Sequence, residues 1–134
     1  MNSRVLSSAI LGIDAYIVEV EANLSRAQLP RYVTVGLPDN AVKESKERVT
    51  AAITNSGFTF PRKHITINLA PADIRKEGSA FDLPIAVGLL AATGDVKPDY
   101  LDKLILLGEL ALDGFLRPVK GVLPISICAK RGRD

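Results

Sequence analysis

Residues 64–94 read HITINLAPADIRKEGSAFDLPIAVGLLAATG, and the two ends of this stretch obey different periods. From His64 to Leu69 the side chains alternate, with Ile65, Ile67 and Leu69 on one side and His64, Thr66 and Asn68 on the other. That is the two-residue repeat of a β-strand with one buried face. A polar loop containing Gly78 follows, and the chain then becomes nearly all apolar up to Gly94. This second run falls short of the ~20 residues a membrane helix needs and reads as a helix buried in a core. Ser79 and Asp82 stand three apart, as in a serine-to-acid capping pair, although Pro84 sits better if Asp82 itself is the cap. Either choice starts the helix inside the loop. The chain is therefore expected in the mixed α/β (α+β) class.

Working outward, Val5–Ala22 reads as two strands hinged near Gly12, the second alternating Tyr16, Val18, Val20 and Ala22 against Ile17, Glu19 and Glu21. Residues 31–36 form a third short strand, closed by Leu37-Pro38-Asp39. Asp39 is the expected N-cap of a helix whose Val42, Val49, Ala52 and Ile53 recur at helical spacing. Lys43, Glu44, Lys46, Glu47 and Arg48 then read as a solvated face of mixed charge, and Gly57 ends the helix. Downstream, Leu104–Leu112 is a strand, Asp113-Gly114 a hairpin turn and Phe115–Val119 its partner. Val122, Ile125 and Ala129 begin a third helix that Arg133-Asp134 interrupts, as expected of a piece of a longer protein. The predicted order is β β β α β α β β α.

A chain of 134 residues with 47% hydrophobic content fits one domain spanning residues 1–134. Its 17 basic and 15 acidic side chains nearly balance, and the basic ones are spread along the sequence instead of forming the concentrated block typical of nucleic-acid binders. The single cysteine, Cys128, excludes an internal disulfide and fits a reducing compartment. The N-terminal apolar run lacks a cleavage pattern, and Asp14, Glu19 and Glu21 break the nearest candidate span. A soluble, cytoplasmic protein without membrane contact is expected.

The sequence contains no G-x-x-x-x-G-K-[ST] phosphate loop and no cluster with metal-ligand spacing, so no cofactor or metal is expected in these residues. Gly108, Gly114 and Gly121 are assigned to hairpin turns that need positive φ. His64 has no carboxylate or cysteine neighbour in sequence and reads as a strand-surface residue. Ser79, following Lys76-Glu77-Gly78 at a loop-to-helix junction, is the one nucleophile candidate, and no base is assigned to it by sequence.

The phrases LGIDAYIVEVEANLS, VTVGLPDNAVKESKERVTAAITNSGF, ITINLAPADIRKEGSAFDLPIAVGLLAATG and LLGELALDGFLRPVKGVLPI resemble the N-terminal domain of the magnesium-chelatase-like ComM/YifB family. The resemblance covers nearly the whole chain. It implies a fold like domain 2 of ribosomal protein S5, shared with the C-terminal protease domain of Lon. It further implies a downstream AAA+ module, absent here, that binds ATP and Mg2+ and assembles as a homo-hexamer. In ComM-type members the implied role is DNA branch migration during natural transformation, with this domain as a non-catalytic accessory. A subunit-assembly or protein-interaction module is the alternative, ahead of a residual Ser/Lys peptidase or a chelatase subunit. KEGSAFDL resembles the segment holding the Lon serine, and GELALDGFLRPVKGVLPI the segment holding its lysine. Laid without gaps, the serine position falls on Ala80 and the lysine position on Leu123, so the dyad is lost. A one-residue shift would offer Ser79 with Lys120 as its base. Arg62, Lys63, Arg75, Lys76, Arg117 and Lys120 are the candidate DNA contacts.

Overall fold

The computed structural model of the chain describes residues 1–11, 14–71, 76, 79–99 and 101–117. Strands β1 (Asn2–Leu11) and β2 (Asp14–Ser25) form an antiparallel hairpin with Val5 opposite Val20 and Ser7 opposite Val18. A βαβ unit follows: β3 (Arg31–Val35), α1 (Asp39–Asn55) and β4 (His64–Ala70), with β3 and β4 parallel neighbours. Strand β4 also pairs antiparallel with β2, so the sheet order is β1-β2-β4-β3. The alternation read in residues 64–69 is the one observed, with Ile65, Ile67 and Leu69 buried to 1% exposure or less.

Helix α2 (Asp82–Thr93) lies across β1 and β2, and α1 packs beside it. Both helices cover the same face of the sheet, because the buried residues Val5, Val18, Val20, Ala22, Leu24, Ile65, Ile67 and Leu69 share a core with Val49, Ala52, Ile53, Ile85 and Leu89. Almost every side of α2 is buried, as its continuous apolar sequence requires. Gly88 allows the close approach to the hairpin: a methyl there would stand 3.4 Å from Ser3 Oγ, whose hydroxyl donates to the Gly88 carbonyl at 2.6 Å.

Both expected caps are corrected. Pro38 holds the cap position of α1 without a side-chain hydrogen bond, and Asp39 lies in the first turn. Phe81 holds the cap position of α2, after a 3-10 turn over Ser79–Phe81, and the Asp82 carboxylate turns into the core. The expected strand Leu104–Leu112 is also broken. Ile105 makes a single parallel bridge to Leu6, and only Glu109–Leu110 (β5) pairs with Leu116–Arg117 (β6). The reason is Gly108, whose N–H donates to the Ala80 carbonyl at 2.8 Å and whose carbonyl accepts from Leu83 N–H at 3.0 Å. The backbone there serves the start of α2 and not a partner strand. Gly114 has φ +95, as the hairpin turn demands, whereas Gly108 has no positive φ and is instead close-packed against Leu116 and Leu83. Gly121 and the expected third helix lie outside the described residues. Among the described residues no helix is long and apolar enough to cross a membrane.

Candidate functional site

The junction between β4 and α2 carries Ser79 and Ala80, the residues on which the resemblance to the Lon serine segment bears. Ser79 and Ala80 open the 3-10 turn, both half-buried, and the Ala80 carbonyl is tied to Gly108. A methyl at Ala80 can neither attack a carbonyl nor pass a proton. Leu123 and Lys120 lie outside the described residues. Lys76, expected at the surface as a DNA contact, is 2% exposed, and its ammonium donates to the Pro71 carbonyl. An ammonium held inward on a backbone carbonyl does not present its charge to a phosphate backbone, so that expectation is corrected.

A second polar centre lies at the first residue of α2, and sequence reading missed it. Asp82 is fully buried. Its Oδ1 accepts from Ser45 Oγ at 2.7 Å and from Arg48 Nη2 at 3.2 Å. Its Oδ2 accepts from Arg48 Nε at 2.6 Å and from the Leu110 amide at 3.1 Å. Four donors from α1 and β5 thus converge on one carboxylate of α2. Arg48 keeps 22% of its side chain exposed, and the hydrogen bond to Asp82 raises its pKa above the ordinary value, with burial opposing. Every acceptor direction of the carboxylate faces a donor of this chain, so the group acts as a clasp between elements and not as a base toward a substrate. Ser45 and Arg48 belong to the KESKER run assigned to a solvated face. The available signal was Ser45 itself, which occupies the helical repeat of Val42, Val49 and Ala52.

The arrangement does not fit a nucleotide phosphate. The Leu83 amide at the start of α2 is engaged by Gly108, and a carboxylate occupies the first turn, where it opposes a bound anion. Among the described residues, no three His, Cys, Asp or Glu side chains converge.

The remaining expected DNA contacts scatter. Arg62 is exposed and Lys63 half-buried just before β4, while Arg117 on β6 stands 3.7 Å from Glu109. Arg75 lies outside the described residues. His64 is half-buried on the sheet face away from the helices, between Ser25 and Arg31.

Fold and junction together define an α+β domain: two helices on one face of a mixed sheet, closed by a carboxylate clasp. The family described as subunit ChlI of Mg-chelatase matches residues 20–133, and the chain belongs to that family. It is 45% identical to the competence protein ComM of Haemophilus influenzae over 129 residues, 96% of this chain and 25% of that protein. It is 50% identical to the uncharacterized protein YifB of Escherichia coli over 121 residues, 90% of this chain and 24% of that protein. An uncharacterized protein of Mycobacterium tuberculosis is 45% identical over 128 residues, 96% of this chain and 25% of its own length. The chain therefore spans about a quarter of the length of the curated relatives it matches.

Proposed function

We propose that this chain is the non-catalytic accessory domain of a larger, cytoplasmic AAA+ ATPase of ComM type, which acts on DNA in recombination and natural transformation. The similarity to a protein named for competence, across 96% of the chain, carries this reading. ATP and Mg2+ are bound by the AAA+ module elsewhere in the polypeptide, and the working form is a homo-hexamer. The methyl group of Ala80 and the inward-facing Lys76 support a non-catalytic role for the domain. The test compares full-length protein with a variant lacking residues 1–134. Retained ATPase activity with lost processing of branched DNA is expected. A serine-reactive probe that labels the protein, and fails on Ser79→Ala, would instead restore the peptidase reading.

One observation favours a second reading, an assembly module. The β5–β6 hairpin exposes three large apolar side chains within five residues: Leu112 at 57%, Phe115 at 74% and Leu116 at 57%. The hairpin is braced, since Asn55 Nδ2 donates to the Leu112 carbonyl at 2.7 Å and the Ala111 amide to Phe115 at 2.8 Å. Contiguous exposed apolar surface marks protein contact sites.

A further inference from the structure

The sheet topology gathers cations that the sequence keeps apart. Strand β2 ends at Ser25, β4 starts at His64 and β3 starts at Arg31, and the register pairs His64 with both of the others. All three strands therefore reach the same end of the sheet. Arg26 follows β2 directly, Arg62 and Lys63 precede β4 directly, and Arg31 opens β3, with its amide donating to the Lys63 carbonyl at 3.3 Å. Arg26, Arg31 and Arg62 are exposed, and Lys63 is half-buried with its ammonium 4.0 Å from Met1 Sδ.

Among the described residues, no ion pair offsets this group. Residues 1–5, 22–34 and 56–67, which lie at this end of the sheet, contain no Asp or Glu, although the chain as a whole carries 15. Among the described residues, Arg4, Arg48 and Arg117 make ion pairs with carboxylates, and none of the four cations at the sheet end does. The outer face of α1 offers the contrast, because there Lys43 and Lys46 alternate with Glu44 and Glu47. Adjacent strands lie ~4.8 Å apart, so the β2, β4 and β3 ends set their cations along a row roughly 10 Å long. A row of that length is of the scale of a few steps of a duplex, each strand of which carries one charge per ~3.4 Å of helix axis.

We infer that Arg26, Arg31, Arg62 and Lys63 form a binding surface for the phosphodiester backbone of nucleic acid at the end of the sheet. Arginine suits this task because its planar fork can hold two phosphate oxygens at once. Backbone contacts of this kind position a protein without reading sequence, which is the recognition expected of a domain that accompanies a motor along DNA. The inference rests on the DNA-directed reading above and replaces Lys76 and Arg117 as contacts, the one buried and the other paired.

The test is fluorescence anisotropy of the 134-residue chain with a short duplex, the matching single strand and poly-L-glutamate, each over a series of salt concentrations. Expected is binding to DNA that weakens steeply with salt. Each of Arg26→Gln, Arg31→Gln, Arg62→Gln and Lys63→Gln should lower the log–log salt slope by about 0.9 on duplex, or about 0.7 on single strand. Arg4→Gln and Arg117→Gln, whose partners are carboxylates, should leave it unchanged. The two DNA probes decide whether duplex or single strand is the better ligand, and preference for either supports the surface. An unchanged slope in the fourfold variant overturns the inference, as does absence of binding at low salt. Binding of poly-L-glutamate as tight as DNA overturns it in favour of an acidic protein partner. Full-length protein carrying the fourfold substitution separates the two levels: undiminished DNA binding there removes this surface and leaves the motor reading intact.

Discussion

Ser45 and Asp82, thirty-seven residues apart, share a 2.7 Å hydrogen bond in the core, and Arg48 completes the clasp one turn further along α1. Removing a partner leaves a buried charge without compensation. Arg48→Ala is therefore expected to cost about 3–5 kcal/mol, because the Asp82 carboxylate stays buried. Ser45→Ala should cost about 1.5–3 kcal/mol, the loss of one hydrogen bond to a charged group. Urea denaturation reads both, and a loss well under 1 kcal/mol for Arg48→Ala would show that the clasp contributes little.

Gly36 and Gly57 both adopt positive φ, at +103 and +91, yet their surroundings differ. A methyl at Gly36 would stand 2.6 Å from the Leu69 carbonyl oxygen, whereas at Gly57 it would meet nothing within 4 Å. Gly57→Ala is expected to cost about 1–2 kcal/mol, the backbone strain alone. Gly36→Ala should cost distinctly more, since β3 and β4 must separate to admit the methyl. Equal losses in thermal or urea unfolding would mean that the sheet adapts.

Burial pushes the Tyr32 phenol up to about 12, against a hydrogen bond with Thr34 that lowers it and with the Asp82 carboxylate adding a smaller upward push. The folded state thus holds its proton more tightly than the unfolded chain, whose tyrosine titrates near 10. Stability from this group is complete below about pH 10 and is lost as pH rises toward about 12. Tyr32→Phe should flatten the decline of the denaturation midpoint across that window. A parallel decline in both proteins would remove Tyr32 as its cause.

Phe115 is 74% exposed on the hairpin. Phe115→Ser is expected to shift the stability of this chain by no more than about 0.5 kcal/mol. If the assembly reading holds, the same change in the full-length protein lowers its oligomeric state by light scattering. Unchanged assembly would leave the hairpin without that role.

Much of the framework was legible because periodicity dictated it. Ile65, Ile67 and Leu69 announced β4, the unbroken apolar run announced a buried α2, and Asp113-Gly114 announced the hairpin. Side-chain destinations set by tertiary contacts were not. Asp82 looked like a cap because its local sequence suits one, and only the arrival of Arg48 and the Leu110 amide turns it inward. The long strand expected over 104–112 failed because Gly108 pairs with Ala80 and Leu83, which no local pattern records. At the candidate site, Ser45 and Arg48 sat in a run read as solvated, so the clasp they form on Asp82 was not legible. Arg26 and Arg31 went unremarked, because their nearness to Lys63 exists only once β4 lies between β2 and β3.

That insertion also governs the order of events when the polypeptide emerges from a ribosome. Hairpin β1–β2 is complete by residue 25, but β3 is made next and its neighbour in the sheet is not yet synthesised. The segment 31–35 must wait through α1 until 64–70 appears, and only then does a single strand zip against both flanks at once. Such non-local pairing is slow, because loop closure precedes any gain from contact. Nascent chains halted before residue 64 should therefore protect the amides of the first hairpin from exchange while leaving those of 31–35 open.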